Sequence, residues 1–320
     1  MNLAGNLAAL LEADLLAFEA ALSQELASDV ELLRRIVDDL VTSGGKRLRP
    51  RLTFLAARAV SLEKGATELA LISELIHSAT LLHDDLVDHA DTRRGKLAAF
   101  HSYGVGASVL TGDYLLARAI EVLARLGEIA LVPMLAATAR GLAEMEVFQA
   151  QLSSRSQVPR SDYFRVIAGK TGGLFAFAAE SPAVLARTAP HQRRALREFG
   201  LEYGLAFQMR DDYLDLMGDP GLLGKPVGGD LREGQPTLIT IELQQRSPEI
   251  AGAILARRGS EPGDLERLQK LARETGADRA VMAAVAQRSE RALSALAGLP
   301  DSPARRALAE LAQQELVRSL

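Results

Sequence analysis

Two short acidic motifs have the residue types and the spacing that could hold a divalent cation. Asp84-Asp85-Leu86-Val87-Asp88 follows an apolar segment, and Asp211-Asp212-Tyr213-Leu214-Asp215 repeats the pattern later in the chain. Helical residues i and i+4 lie on one face, so the first and last aspartates of each motif project side by side. Carboxylate oxygens suit Mg²⁺, which commonly bridges a few protein carboxylates to phosphate oxygens. Two such clusters facing one cavity would clamp a diphosphate.

A solvated group of acids is the simpler explanation for a single acidic motif. Both motifs, however, end apolar helical segments, where negative charge opposes the helix dipole unless a cation binds. Two copies at helix ends are hard to explain as surface charge. We therefore expect both motifs to bind metal, through Asp84, Asp85 and Asp88 and through Asp211, Asp212 and Asp215.

Cations and hydrogen-bond donors for a diphosphate also occur near these motifs. They are Lys46 and Arg49, Arg93 and Arg94, Lys170 and Thr171, Gln208, and Lys225. Taken singly, each is more commonly a surface side chain. Lys170 is the best candidate, because it interrupts an apolar helical segment in which a lysine needs an anionic partner. The three-residue step from Lys46 to Arg49 predicts a shared helical face.

His77 lies seven residues before Asp84, so on a helix the two side chains would point the same way. A structural histidine and a substrate contact explain that spacing equally well. The chain has no Ser-His-Asp order, zinc-ligand spacing or nucleotide-binding glycine fingerprint. The sequence therefore indicates chemistry that uses acids and cations without a protein nucleophile.

The spacing of apolar residues predicts an all-α protein of ten or more helices without strands. We expect an amphipathic opening helix, a helix that begins near Pro50, and helices at about 69–88, 108–126, 129–152, 161–180, 191–217 and 235–246, with three more in 248–320. The glycine-rich segment 218–234 predicts a long functional loop. No linker or repeat divides the chain, so we expect one domain over residues 1–320.

Composition supports a helical protein and excludes several functions. The 320 residues include 52 Ala and 54 Leu, which are strong helix formers. The 37 Lys and Arg against 41 Asp and Glu provide no basic excess for binding nucleic acid. The absence of cysteine excludes disulfides and thiolate chemistry. Without a signal-like or membrane-spanning segment, we expect a cytoplasmic protein with at most transient membrane contact.

Together these motifs resemble those of the trans-isoprenyl diphosphate synthases, or polyprenyl synthetases. The order and spacing match from about residue 40 to residue 240. The matching strings are Gly44-Gly45-Lys46-Arg47-Leu48-Arg49-Pro50, the first acidic motif with Arg93-Arg94-Gly95, Lys170-Thr171, Phe207-Gln208 with the second acidic motif, and Gly224-Lys225-Pro226. The chain is most similar to the long-chain members that make quinone side chains.

The resemblance implies an all-α bundle around a deep central cavity, a homodimer, and two or three Mg²⁺ ions per active site. It implies a prenyltransferase of isoprenoid biosynthesis that joins isopentenyl diphosphate to an allylic diphosphate primer of C10–C20. Pyrophosphate leaves, and it is also the proton acceptor. The partners are thus two small diphosphates and a second copy of the chain.

The resemblance also assigns roles to residues. Asp84, Asp88 and Asp211 hold Mg²⁺ on the allylic diphosphate, and Asp85, Asp212 and Asp215 complete the clusters. The allylic diphosphate contacts Arg93, Lys170, Thr171, Gln208 and Lys225. Arg93 and Lys170 count with Asp84, Asp88 and Asp211 as catalytic. Isopentenyl diphosphate contacts Lys46, Arg49, His77 and Arg94.

Small residues before the first acidic motif favour a long product. Thr80 and Ala79 lie four and five residues before Asp84, where a bulky aromatic side chain would close the cavity. A helical turn rises about 5.4 Å, of the order of one isoprene unit, so each unblocked turn admits about one more unit. We expect a product of about C40, within a range of C30 to C50, with the cavity floor set by Leu131, Met134 or Leu135.

Two positions depart from the family pattern. Gln235 stands where a lysine is usual, which weakens or removes one diphosphate contact, and Leu97 stands where a proline is common. Three alternatives stay open: a short-chain (C15–C20) synthase, a terpene cyclase on the same scaffold, and the catalytic subunit of a two-chain synthase. The intact second motif and the Lys46 and Arg49 pair oppose a cyclase.

Overall fold

The prediction of an all-α protein is confirmed by a computed structural model, which describes residues 3–42, 45–88, 90–93, 96–223 and 227–317. The helices are α1 (Leu3–Glu25), α2 (Glu31–Thr42), α3 (Leu48–Ala59), α4 (Ala66–Val87), α5 (Ala99–Tyr103), α6 (Val105–Leu126), α7 (Leu131–Leu152), α8 (Arg160–Ile167), α9 (Gly173–Leu185), α10 (Pro190–Met217), α11 (Pro220–Leu223), α12 (Gly229–Glu233), α13 (Leu238–Arg246), α14 (Pro248–Ala256), α15 (Asp264–Thr275), α16 (Ala277–Ala295) and α17 (Pro303–Val317).

The chain forms two compact units, each assembled from segments distant in sequence. Unit 1 comprises Met1–Ala139, Leu174–Gly200 and Leu296–Glu310. Unit 2 comprises Arg140–Gly173, Leu201–Ala295 and Leu311–Leu320. The expectation of a single domain over residues 1–320 stays a prediction.

In unit 1, α4 packs against α3 and α6. Its stretch from Leu69 to Ile76 is buried throughout, including Ser73 and Glu74, so this part of the helix is enclosed on every side. On α6, a Cβ at Gly112 would lie only 2.2 Å from His83 Nε2, and that nitrogen lies 3.2 Å from the carbonyl oxygen of Val109. The face of α4 that carries His83 and, one turn earlier, Ala79 therefore lies against α6.

A two-stranded hairpin in unit 1 corrects the expectation that the chain has no strands. β1 (Thr92–Arg93) and β2 (Lys96–Leu97) are antiparallel, with Arg93 opposite Lys96. Strands of two residues are too short to leave an alternating pattern in the sequence. The hairpin follows the first acidic motif and carries Arg93.

The helix predicted at 161–180 is interrupted at Lys170. α8 ends at Ile167, a π-helical turn spans Ala168–Gly172, and α9 begins at Gly173. Such turns insert a residue into a helix and are frequent at functional sites. A Cβ at Gly169 would lie 2.4 Å from the Cγ of Met145, so the turn can approach α7 closely only because residue 169 is a glycine.

The core of unit 2 packs the second half of α10 with α13, α14, α15 and α16. Met209, Leu214, Ile239 and Val281 belong to this core. α13 begins with a capping box formed by Thr237 and Thr240, which satisfies backbone N–H groups at the start of the helix. These contacts fix the helix that carries the second acidic motif.

Two details of the predicted elements were wrong. The C-terminal stretch contains four α-helices instead of three, because Gly276, at φ 73°, ends α15 and allows α16 to begin at once. The segment 218–234 contains the short helices α11 and α12, with residues 224–226 outside the described part of the chain. Among the described residues, we find no helix with the length and apolarity that a membrane span requires.

Candidate active site

The first acidic motif closes α4, as its sequence predicted. Asp84 lies in the last turn of α4, and Asp88 is its C-cap residue, whose N–H donates to the carbonyl oxygen of Asp84 at 2.8 Å. Both side chains are half-buried. Their carboxylates therefore stand at the negative end of the helix dipole, where a cation would be stabilised.

Asp85, expected to complete the first metal cluster, is more buried than Asp84 and Asp88. It is 3% exposed, and its Oδ1 lies 2.5 Å from both Nε and a terminal nitrogen of Arg93. Asp85 thus anchors the hairpin to α4 by a charge-assisted hydrogen bond pair. In this arrangement Arg93, expected to contact the allylic diphosphate, is paired with an acid of the first motif.

Lys46 and Arg49 do not share a helical face, because Lys46 precedes the first residue of α3. Lys46 is exposed, whereas the Arg49 guanidinium lies 4.6 Å from the ring centroid of Phe175. Between them, Arg47 has a φ of 48° and places its guanidinium 2.8 Å from Glu19 and 2.7 Å from Glu74. This left-handed residue ends any common helical register.

His77 is half-buried on α4, and the hydroxyl of Thr80 donates to its carbonyl oxygen at 2.8 Å. Ala79, beside Thr80, is fully buried, whereas Thr80 is half-buried. Thr80 lies one turn before Asp84 and on its face, so Thr80 is the better placed of the two to lie beneath that carboxylate. Leu131 and Leu135, candidates for a cavity floor, are buried, and Met134 is half-buried.

In unit 2, a chain of hydrogen bonds leads to the second acidic motif. The hydroxyl of Thr171 donates to Gln208 Oε1 at 2.8 Å, and Gln208 Nε2 donates to Asp212 Oδ1 at 2.7 Å. The hydroxyl of Tyr163 donates to the other carboxylate oxygen of Asp212, also at 2.7 Å. Both oxygens of Asp212 thus accept from protein groups, whereas Asp211 is half-buried beside it.

Asp215 is joined to a further acid that the sequence analysis did not select. Its Oδ2 accepts from the backbone N–H of Asp230 at 2.9 Å, and its carbonyl oxygen accepts from the N–H of Gly228 at 2.6 Å. Gly228 has a φ of 79°, which a glycine adopts without strain. The string Gly228-Gly229-Asp230 within the glycine-rich segment was the available signal for this turn.

Burial and neighbouring carboxylates raise the pKa values of two aspartates in this part of unit 2. Burial raises the pKa of Asp212 to about 7, although the Tyr163 and Gln208 donors lower it, and Asp211 and Asp215 raise it further. Burial also raises the pKa of Asp230 well above its ordinary value, with Asp212 and Asp215 adding to the effect. Without a cation, these groups resist full ionisation.

Lys170 has the anionic partner that its apolar surroundings require. Its Nζ lies 2.5 Å from Glu146 Oε2 and donates to Gln149 Oε1 at 3.1 Å. Both partners lie on α7, whereas the adjacent Thr171 bonds to α10, so the π-helical turn directs neighbouring side chains to different helices. Glu146 and Gln149 were missed because only tertiary contact joins them to Lys170.

The remaining candidates complete the inventory. Arg94 and Lys225 lie outside the described residues. Gln235 is half-buried, and its backbone N–H donates to the carbonyl oxygen of Asp230 at 2.8 Å, whereas Leu97 is 63% exposed. Within the described ranges, no three carboxylate or imidazole groups converge as a preformed metal site.

The fold is all-α, and an acidic motif lies near the end of each of two helices, α4 and α10. The sequence profile of the polyprenyl synthetase family matches residues 30–274. The chain therefore belongs to the polyprenyl synthetase family, and it is a prenyltransferase.

Relatives and solved structures agree with this assignment. The chain is 38% identical over 305 residues to the octaprenyl diphosphate synthase of Escherichia coli, covering 93% of this chain and 94% of that one. It is 36% identical over 309 residues to the all-trans-nonaprenyl-diphosphate synthase (geranyl-diphosphate specific) of Rhodobacter capsulatus, covering 95% of each. The crystal structure of a Caulobacter crescentus polyprenyl synthase, complexed with calcium and isoprenyl diphosphate, has a TM-score of 0.92 and 38% identity over 98% of this chain and 97% of that one.

These findings confirm the predicted all-α fold, the family and the long-chain class of prenyltransferase. The relatives bear names of different product lengths, so the exact length stays a prediction. The roles of individual residues stay predictions as well.

Proposed function

We propose that this enzyme elongates an allylic diphosphate primer of C10–C20 with isopentenyl diphosphate to an all-trans polyprenyl diphosphate of about C40. The observation that carries the proposal is the family match over a chain in which both acidic motifs are intact. The lack of bulk at Ala79 and Thr80 supports a product longer than C20. A single aromatic residue at either position would argue for a shorter one.

The residues present fit Mg²⁺. Hard carboxylate oxygens stand at the negative end of α4, and four acids (Asp211, Asp212, Asp215 and Asp230) interact electrostatically in unit 2. Mg²⁺ is usually held by one or two carboxylates, with phosphate oxygens and water completing its shell, so a pair of acids such as Asp84 and Asp88 suits it. We propose that Asp84, Asp88 and Asp211 hold two or three Mg²⁺ ions on the allylic diphosphate.

The reaction begins with loss of diphosphate from the allylic substrate. Mg²⁺, when held by these aspartates, would supply Lewis-acid stabilisation of the charge on the leaving diphosphate. Lys170 and Arg93 add fixed positive charge to that group, and Thr171, Gln208 and Lys225 bind it. Lys46, Arg49, His77 and Arg94 orient isopentenyl diphosphate, whose double bond attacks the allylic cation. Pyrophosphate then removes the proton, so no protein base is required.

In the absence of substrate, the two proposed catalytic cations, Arg93 and Lys170, are each held in an ion pair. Arg93 is paired with Asp85 and Lys170 with Glu146, each at 2.5 Å. These carboxylates keep two flexible side chains ordered before the diphosphate arrives, which lowers the entropy cost of binding. A diphosphate carries more negative charge than one carboxylate. It would therefore bind these two cationic side chains, which are already ordered.

We also propose a homodimer in which α6 forms part of the interface. Along this helix Val105, Leu110 and Ile120 are 54%, 67% and 61% exposed. A subunit interface on this helix would cover such exposed apolar side chains. We place the enzyme in the cytoplasm, where its water-soluble substrates occur, with transient membrane contact for release of the apolar product.

A single assay tests the proposed activity. Purified protein is incubated with Mg²⁺, radiolabelled isopentenyl diphosphate and a C10, C15 or C20 primer, and the dephosphorylated products are separated by thin-layer chromatography. We expect products of about C40 from the protein alone. Products of C15–C20 would indicate a short-chain synthase. Cyclised hydrocarbon would indicate a cyclase, and activity only with a second chain would indicate a two-chain enzyme.

A further inference from the structure

Tyr163 contacts the second acidic motif from a helix that carries none of the predicted site residues. It lies on α8, is 2% exposed, and donates its hydroxyl hydrogen to Asp212 Oδ2 at 2.7 Å. The two residues are 49 positions apart in the chain, and both belong to unit 2. Sequence spacing could not have joined them.

The hydrogen bond completes the environment of a buried carboxylate. Asp212 Oδ1 accepts from Gln208, whose amide orientation is fixed by the donor hydroxyl of Thr171, and Oδ2 accepts from Tyr163. A buried carboxylate held by donors at both oxygens has one preferred orientation, because rotation would break both bonds. Removing the Tyr163 hydroxyl would leave Oδ2 without this donor.

We propose that Tyr163 is a positioning residue that holds the Asp212 carboxylate in the orientation the metal–diphosphate site needs. This inference rests on the proposed function. Tyr163 itself touches neither metal nor substrate in this role. It acts through Asp212, by fixing how the Asp212 carboxylate is oriented beside those of Asp211 and Asp215.

The ring and the hydroxyl of Tyr163 can be tested separately. The ring packs in the core of unit 2, with its centroid 5.5 Å from that of Phe164. Tyr163→Phe keeps this packing and removes only the hydrogen bond. Tyr213→Phe is the matched control: it removes the hydroxyl of another buried tyrosine of the same unit, and the charged groups that act on that hydroxyl are Asp278, Arg210 and Arg273 instead of Asp212.

The experiment measures binding of Mn²⁺, as a spectroscopic substitute for Mg²⁺, by electron paramagnetic resonance in the presence of pyrophosphate. We expect Tyr163→Phe to weaken Mn²⁺ binding about tenfold, corresponding to the loss of one charged hydrogen bond. The Mg²⁺ concentration for half-maximal activity and the KM for the allylic diphosphate should rise in parallel, with the KM for isopentenyl diphosphate unchanged. Tyr213→Phe should leave Mn²⁺ binding at the wild-type value.

A double-mutant cycle keeps the inference falsifiable if Tyr163→Phe lowers stability. In an Asp212→Ala background, Tyr163→Phe should have no further effect on Mn²⁺ binding, since the carboxylate that Tyr163 orients is gone. The positioning role would be overturned if wild type and Tyr163→Phe bound Mn²⁺ with equal affinity. It would also be overturned if Tyr163→Phe lowered Mn²⁺ affinity equally in the wild-type and Asp212-variant backgrounds. A wild-type protein that forms no polyprenyl product would instead overturn the proposed function.

Discussion

The Asp85 carboxylate lies 2.5 Å from the Arg93 guanidinium, so the first acidic motif holds the hairpin as well as offering acids at a helix end. Asp85 is buried, whereas Asp84 and Asp88 are half-buried. The three acids of one motif thus occupy two kinds of environment, and their replacement should have different consequences.

Asp85→Asn should weaken binding of the allylic diphosphate without abolishing turnover. Arg93 would lose its charged partner and its fixed orientation, which we expect to raise the KM for the allylic substrate about tenfold, or about 1.4 kcal/mol. Steady-state kinetics with each substrate varied in turn measure this. A variant with an unchanged KM, or one with only a lower kcat, would contradict an anchoring role for Asp85.

Asp84→Ala and Asp88→Ala should each abolish measurable turnover, with a loss of about 1,000-fold or more. The reason is that each would remove a ligand for the ion that stabilises the leaving diphosphate. Asp91→Ala is the matched control, because Asp91 comes shortly after α4 in the chain and its side chain is 91% exposed. Circular dichroism establishes that the variants fold. Retained activity in either variant would defeat the metal assignment.

Phenylalanine substitutions at the base of the first motif should shorten the product. Thr80→Phe adds bulk one turn below Asp84, and it should shorten the product with little loss of stability. Ala79→Phe should also shorten the product, but the face of α4 that carries Ala79 packs on α6, so overpacking should cost about 1–3 kcal/mol. Product chromatography and thermal unfolding measure both effects. An unchanged product spectrum at either position would show that it does not line the cavity.

Tyr103→Phe should lower stability at neutral pH and lose this effect in acid. The Tyr103 hydroxyl, and after it Lys96, hold the pKa of Asp39 below its ordinary value. A carboxyl with a lowered pKa in the folded state stabilises the protein above its unfolded pKa of about 4 and loses this contribution as the pH falls through the lowered value. Because the Asp39 side chain is 51% exposed, we expect Tyr103→Phe to lower the free energy of unfolding by less than about 1 kcal/mol.

Unfolding midpoints of wild type and Tyr103→Phe, measured between about pH 3 and pH 7, test this expectation. Tyr114→Phe is the control, because the Tyr114 hydroxyl bonds to the carbonyl oxygen of Ala27, which does not titrate. The gap between wild type and Tyr103→Phe should narrow in acid, and the gap for Tyr114→Phe should not. A constant gap for Tyr103→Phe would remove Asp39 from the explanation.

The candidate site was largely predictable wherever its signal is local. Helices end at both acidic motifs because apolar periodicity and helix geometry operate over one or two turns. Lys170 was expected to have an anionic partner because a lysine in an apolar segment requires one. That partner is Glu146 on another helix, and no local pattern could have identified it.

The sequence by itself determined the all-α class, the family and the positions of the acids along their helices. Tertiary structure alone decided the pairing of Asp85 with Arg93, the separation of Lys46 from α3, the π-helical turn at Lys170, and the bond from Tyr163 to Asp212. The physical reason is range: helix propensity and capping depend on neighbours within a few residues, whereas the orientation of a buried carboxylate depends on whichever donors the packed chain brings to it.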